Sequence, residues 1–313
     1  MNRLDSLVRR LRGGPRHRND ASAARDVNWR HFANDLPSGL SLEWLGTAGF
    51  RIAYEGVALL VDPYFTRYSL RHALARGPLL PAQGVLSRHL DRVDAVLVGH
   101  THFDHALDVP WIAKRYDCPV YGSGSLRTLM ALYGLADRAV EAPLHRPVTI
   151  GPFTVSFTPS LHSMLLLGLK VPADGELTCD CLDDLGTNAY RCGPVYGIHI
   201  EVAGRSFYHQ GSANLIEDEI RVRGVDYFLC GIAGRVFTPR YVARVLRRLE
   251  PRIIVPQHFD DFFRPLDAPM GFSFNVNFGG FLDEVAAVSR DFEVRALEPL
   301  QRIVGTAAAA RRS

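Results

Sequence analysis

Residues 100–105 read His100-Thr101-His102-Phe103-Asp104-His105. Three imidazoles and a carboxylate fall within six positions, directly after Asp94-Ala95-Val96-Leu97-Val98-Gly99. That apolar run, bounded by polar residues, predicts a short buried strand. On a regular strand His100 and His102 share one face. At a strand end they can converge on one ion while Asp104 and His105 turn towards a second. Imidazole and carboxylate are the donors that borderline divalent ions take, zinc being the usual case. One isolated histidine would read as ordinary surface. The spacing H-x-H-x-D-H at a strand-to-helix corner reads as a metal centre.

Working outward, strands and helices alternate in both directions. Leu42–Leu45, Phe50–Tyr54 and Ala58–Val61 predict strands punctuated by Gly46, Gly49 and Gly56. Leu107–Tyr116 and Ser125–Leu135 predict helices, the second with Ser123 or Ser125 as its cap. After Pro147, Val148–Ile150, Thr154–Thr158, Gly197–Val202 and Ser206–His209 predict strands, with Ala203-Gly204 as a hairpin turn. Asp226–Ile232, Ile253–Pro256 and Glu293–Ala296 predict further strands. Pro239–Leu249, capped by Thr238, and Phe281–Ser289 predict helices. This is the pattern of a layered α/β domain. Residues 38–313 read as one domain without an internal sequence repeat. Residues 1–37 read as a basic N-terminal arm, in which Leu4, Leu7, Val8 and Leu11 fall at helical spacing. Gly13, Gly14 and Pro15 are expected to stop that helix.

The chain resembles the metallo-β-lactamase fold superfamily, whose hallmark is the H-x-H-x-D-H run. Leu45-Gly46-Thr47-Ala48-Gly49-Phe50 looks like its opening strand and turn, and Leu60-Val61-Asp62-Pro63 like its Asp-bearing motif. His162, after the strand Thr154–Thr158, and His258, in Ile253-Ile254-Val255-Pro256-Gln257-His258, fit its later metal-binding histidines. The resemblance covers Leu42 to Val304 and implies a four-layer αββα sandwich. It also implies that one metal binds His100, His102 and His162, and another Asp104, His105 and His258. Asp62 would brace the ligand loop without touching metal. The expected cofactor is one or two Zn2+ ions, with Mn2+ or Fe2+ as alternatives.

One position departs from the pattern. The superfamily's fourth motif usually ends in Gly-Asp, whose carboxylate bridges both metals. Here the strand Ser206–His209 runs into Gln210-Gly211-Ser212-Ala213-Asn214, so Ser212 stands beside the ligands where that Asp is expected. A neutral hydroxyl is a poorer ligand and weakens the second position. His209 and the acids Asp180, Asp183 and Asp184 are the substitute donors in view. Those acids lie in Ser163–Pro194, a stretch that fits no element and also carries Cys179, Cys181 and Cys192. It is expected to cover the site, with a small metal knot or disulfide as the alternative.

The chemistry expected of such a centre is hydrolysis. A divalent ion lowers the pKa of bound water to about 7, and the hydroxide so formed attacks a carbonyl or phosphoryl centre. Asp104 is then the catalytic residue that orients the nucleophile or shuttles its proton. No G-x-S-x-G elbow, Walker lysine loop or G-x-G-x-x-G run competes. The pattern around Asp62-Pro63, Pro78 and Pro81 resembles two branches, one ascorbate-6-phosphate lactonase-like and one containing N-acylphosphatidylethanolamine phospholipase D. A small ester, lactone or phosphodiester is therefore the expected substrate. Met164–Leu169, with Phe259, Phe262, Phe263, Phe272, Phe274 and Phe278, would wall an apolar pocket or belong to the core. Arg67, Arg71 and Arg264 are candidates to meet an anionic group. A degenerate, non-enzymatic binding domain and a nuclease are the alternatives.

Charge bears on the alternatives. The 313 residues sum to +3, but residues 1–30 hold eight Arg against three Asp, and 302–313 hold three Arg and no acid. The intervening body is at −5, the wrong sign for tracking a phosphate backbone, so no nucleic-acid partner is expected. Peripheral membrane contact through the basic arm is retained as an expectation. Five Cys without a preceding secretory segment suggest the cytoplasm. The sequence says nothing about oligomeric state.

Overall fold

The computed structural model of the protein describes residues 13–75, 77–165, 168–273 and 276–306. Two sheets of seven strands pack face to face. The first holds, in spatial order, β1 (Ser41–Gly46), β2 (Gly49–Tyr54), β3 (Val57–Val61), β4 (Ala95–Leu97), β5 (Val120–Gly122) and β6 (Ala139–Glu141). The second holds β7 (Val148–Ile150), β8 (Phe153–Ser160), β9 (Val195–Val202), β10 (Arg205–Gln210), β11 (Tyr227–Gly231), β12 (Ile253–Gln257) and β13 (Glu293–Val294). The last strand, β14 (Arg302–Val304), returns to the first sheet beside β1. Helices α1 (Gly13–Asp26), α2 (Leu70–Ala73), α3 (Gln83–His89), α4 (Phe103–Ala106), α5 (Val109–Tyr116), α6 (Gly124–Leu132), α7 (Tyr241–Leu249) and α8 (Phe278–Val288) complete the αββα sandwich.

Strands β3 and β4 are apolar at every position because both of their faces are covered. In β3 and β4, Leu59, Val61, Ala95 and Leu97 point between the sheets, towards Phe157, Ile198 and Phe207. Leu60 and Val96 point outward, against Ile112 of α5 and Leu126, Leu129 and Met130 of α6. Each of these larger apolar side chains, Ala95 apart, contributes about 1.5–3 kcal/mol when fully buried. Both sheets follow one path, an antiparallel meander that passes into parallel strands: β1–β2–β3 leads into β4–β5–β6, and β8–β9–β10 into β11–β12–β13. The repeat lies in the topology; the residues along the two paths differ. It brings the carboxyl ends of both parallel sets to one rim of the sandwich, where sites of open α/β sheets form.

Several boundaries differ from expectation. Gly13-Gly14-Pro15 begins a helix instead of stopping one, which proline permits because first-turn amides have no intrahelical partner. Residues 1–12, with the expected Leu4–Leu11 helix, lie outside the described residues. The following stretch rests on the body: Trp29 and Leu36 are buried, and Trp29 stacks on Tyr227 of β11. Helix α7 starts at Tyr241 because Arg240 takes a left-handed conformation, so Thr238 is not its cap. Ser123 occupies the α6 cap position without making the cap bond; Ser125 instead accepts a hydrogen bond from Leu177 N. Ala203-Gly204 makes the hairpin turn with positive φ at both residues. Among the described residues no helix is long and apolar enough to cross a membrane.

Candidate metal centre

Every candidate residue sits just past a strand on that shared rim. Asp62 follows β3, the His100–His105 run follows β4, His162 follows β8, Ser212 follows β10 and His258 follows β12. The first turn of α4 carries Asp104 and His105 back over the strand end. His258 has φ 60°, and its amide donates to Thr47 O at 2.7 Å, so the opening turn fixes it.

The donors fall into the two expected groups. The ligand atoms of His100, His102 and His162 lie within 4.8 Å of one another, as do those of Asp104, His105 and His258. His102 Nε2 donates to Pro172 O at 2.8 Å, and His162 Nδ1 donates to Ser163 O at 2.8 Å. A carbonyl only accepts, so both rings present their other nitrogen as a bare lone pair. His102 Nδ1 then faces His100 Nε2 at 3.1 Å. Two nitrogens bound to one tetrahedral ion would stand about 3.3 Å apart. The donor set therefore fits a divalent ion of zinc's type.

The electrostatics favour the same reading. Burial, reinforced by the neighbouring imidazoles, holds His100 well below the ordinary histidine range and lowers His162 to about 3. Burial also lowers His102. These three rings are neutral, the state in which imidazole binds metal. Burial acts to raise Asp104, but His105 and His258 override it and keep the carboxyl well below its usual range. His258 Nε2 is 3.1 Å from Asp104 Oδ2. His105 is raised: burial lowers it, but Asp104 and Asp62 outweigh burial.

Asp62 is completely buried. It accepts from His105 Nδ1 at 2.8 Å and from Gly99 N at 2.6 Å, which ties the ligand loop to β3. It also lies within ligand-atom reach of His100 and His105. A Cβ on Gly211 would come within 2.7 Å of Asp62 Oδ2, so the close approach of β10 to this carboxylate requires glycine. Ser212 Oγ accepts from Ser163 N at 3.0 Å and so holds the loop that carries His162.

Other candidates lie elsewhere. His209 directs Nε2 at Ala48 O, 2.8 Å away, and belongs to none of the donor groups. Asp180 and Asp184 group with Cys181 on the surface, and Asp183 lines a separate cleft beside Leu74. Cys192 is buried while Cys181 is exposed, and all five thiols are free, so the three cysteines of the covering stretch form no shared knot. Arg67 is not available to an anion: it is buried in an ion pair with Asp260 at 2.8 Å. Asp260 Oδ1 also accepts from Thr47 N. Nothing in the sequence marks this pair: Asp260 is two residues from His258, Arg67 is far from both in the chain, and only the fold brings Arg67 beneath Gly46.

The centre opens into a cavity of about 200 Å3 whose floor includes His102, Asp104, His162 and His258. Phe103, Phe262, Leu165, Pro172 and Ala173 wall it, and Thr187 and Asn188 of the covering stretch lie at its edge. Phe259, Phe272 and Phe278 instead stack in the core, and Phe263 packs on Phe262. Phe274, Leu166 and Leu167 lie outside the described residues.

Comparison with known proteins bears on the family and the fold. A family model described as Beta-lactamase superfamily domain matches residues 58–259. A UPF0173 metal-dependent hydrolase of Polaromonas is 28% identical over 227 residues, 69% of this chain and 76% of the relative. A second, from Anaeromyxobacter dehalogenans, is 28% identical over 268 residues, 82% of this chain and 83% of the relative. Among solved structures, Igni18, a metallo hydrolase of Ignicoccus hospitalis, superposes with a TM-score of 0.56 at 19% identity, covering 84% of this chain and 97% of that one.

Proposed function

The chain belongs to the beta-lactamase superfamily, and on that premise we propose that it is a metal-dependent hydrolase of a small ester, lactone or phosphodiester. The observation that carries the reading is the convergence of six metal-type donors in two groups, four of which, His102, Asp104, His162 and His258, line one cavity. His100, His102 and His162 would hold one ion; Asp104, His105 and His258 would hold the other. Zn2+ suits the nitrogen-rich first group best, with Mn2+ or Fe2+ as alternatives. A divalent ion bound there supplies a Lewis acid and water acidified to near neutrality.

The chain's own residues do the rest. Pro172 O and Ser163 O fix the tautomers of His102 and His162. Asp62 orients His105 and takes up its charge. Asp104, at the cavity floor, would orient the attacking water or shuttle its proton to the leaving oxygen. The apolar wall excludes bulk water and strengthens these interactions. The five free thiols suit a reducing compartment such as the cytoplasm.

Metal content and esterase activity measured together on wild type, His102→Ala and Asp104→Ala test this. Wild type should retain at least one equivalent of metal and hydrolyse an activated ester. His102→Ala should lose the first ion and at least 100-fold in kcat/KM with an unchanged circular dichroism spectrum. A reconstituted wild type without metal would support the non-enzymatic binding domain instead.

A further inference from the structure

We infer that Asp260, held in place by Arg67, is a positioning residue for the second metal position: through Thr47 it sets the backbone of His258. This rests on the two-ion reading above and adds a residue to it. Asp260 lies two residues past His258 and belongs to none of the donor groups. Its two carboxylate oxygens have separate tasks. Oδ1 accepts from Thr47 N at 2.9 Å, and Oδ2 meets Arg67 Nη2 at 2.8 Å. Arg67 Nη1 also donates to Asp261 O at 3.4 Å, so the guanidinium grips the segment after His258 at two points. Thr47 O in turn accepts from His258 N at 2.7 Å and from Trp44 Nε1 at 3.0 Å. The amide and the carbonyl of Thr47 are thus both bonded to the segment His258–Asp260. Phe259, in the middle of that segment, is buried and tilted against Trp44 at 4.6 Å.

This clasp holds a conformation that the backbone alone does not favour. Thr47 has φ 51° and His258 φ 60°. Residues with a side chain stay in this left-handed region only where their surroundings over-determine them. Released from Thr47, His258 would relax towards negative φ and carry its ring away from Asp104, whose Oδ2 now lies 3.1 Å from His258 Nε2. An ion pair buried this deeply gains little stability, because desolvation offsets the attraction. What it supplies is a fixed, ionised acceptor, which binds an amide more strongly than a neutral oxygen does. Gly46, with φ 84°, makes room for it: a Cβ there would collide with Arg67 Nη2.

The two metal positions rest on different supports. Pro172 O and Ser163 O orient His102 and His162, and Ser212 Oγ holds Ser163 N. None of these bonds involves Thr47 or Asp260. The second position has Asp104, His105 and His258, so displacing His258 removes one donor of three. Loss of a group that orients a metal ligand typically weakens metal binding about 10–100-fold. Disturbing Asp260 should therefore weaken the second ion and spare the first.

Two double variants separate this role from general stability. Arg67→Met/Asp260→Asn removes the guanidinium and keeps an oxygen for Thr47 N. Arg67→Met/Asp260→Leu removes the guanidinium and leaves Thr47 N without an acceptor. Stepwise Zn2+ dissociation constants of the full chain are measured by competition with a chromophoric chelator. Trp29→Ala, which disturbs the core at the start of β11, away from the rim, is the control. The leucine variant should bind its second equivalent at least tenfold more weakly than wild type, with the first equivalent within threefold. The asparagine variant and Trp29→Ala should stay within threefold of wild type at both. If the leucine variant does not fold, Arg67→Met/Asp260→Ala takes its place. The inference is overturned if the two double variants bind the second equivalent alike, if the leucine variant weakens both equivalents equally, or if Trp29→Ala reproduces its effect. Wild type that binds a single equivalent also overturns it and leaves a one-ion hydrolase standing. Wild type that binds no metal overturns the hydrolase reading beneath it.

Discussion

At the scale of single residues, the site is a set of committed atoms. Ser212 is held by Ser163 N, so its hydroxyl braces the His162 loop. Ser212→Ala should destabilise the fold by about 1–3 kcal/mol, the cost of an unpaired buried amide, read as a lower denaturant midpoint. Ser212→Asp should instead add a negative donor between the two groups. The expected outcome is slower loss of the second metal equivalent to a chelator, measured by elemental analysis during dialysis. The Arg67–Asp260 pair, 4% and 2% exposed, should behave as a buried pair broken from one side. Asp260→Asn should cost about 3–5 kcal/mol because the guanidinium remains without its counter-charge. Chemical denaturation of that variant beside Arg67→Met/Asp260→Asn checks this, since the double variant removes the unpaired guanidinium, keeps an Oδ1 acceptor for Thr47 N and should recover most of the loss. The H-x-H-x-D-H run, His162 and His258 were readable because metal donors are few residue types and their order along the chain survives folding. The second nitrogens of His102 and His162 were not, because Pro172 O and Ser163 O are backbone atoms that leave no mark in composition.

At the scale of elements, the strands were the readable part. β3 and β4 are buried on both faces, so they appear as unbroken apolar runs. Helix starts were less readable, because caps depend on φ and on partners brought in from elsewhere: Arg240 turns left-handed before α7, and Ser125 is drawn to Leu177. The stretch 163–194 has buried anchors, Leu177, Leu185 and Tyr190, that seat it on the helices outside the first sheet. It also supplies Pro172 and Asn188 to the cavity, and its thiols differ sharply. Burial pushes Cys192 up to about 12, as it does Cys118 and Cys230. A raised thiol keeps its proton at pH 8, which removes the reactive thiolate. Iodoacetamide at pH 8 should therefore modify only the two unburied thiols in the folded protein, Cys179 and Cys181, with Cys181 slowed because its hydrogen bond to Asp184 also raises it, and all five in denaturant, as read by intact mass. Rapid modification of Cys192 in the folded state would mean that the covering stretch does not lie as described.

At the scale of the whole molecule, the basic N-terminal stretch and the acidic body are not separable along the boundary that composition draws. Trp29 lies 1% exposed against Tyr227, with the Arg295 guanidinium over its ring. Trp29→Ala should cost about 3–5 kcal/mol, the usual loss for a large buried aromatic, seen as a lower thermal midpoint. The repeated path of the two sheets was invisible in the sequence because topology depends on where chain segments pair, and different residues pair equally well. That repeat is what brings five strand ends to one rim and makes a site from residues 196 positions apart, Asp62 to His258. The central claim is that this rim holds a metal. Anomalous diffraction from crystals of the zinc-loaded protein, collected on both sides of the zinc edge, tests it most directly. The account predicts a zinc peak within about 2.0–2.1 Å of His100 Nε2, His102 Nδ1 and His162 Nε2. Zinc found only elsewhere on the molecule, with these three rings hydrogen-bonded to one another, would contradict it.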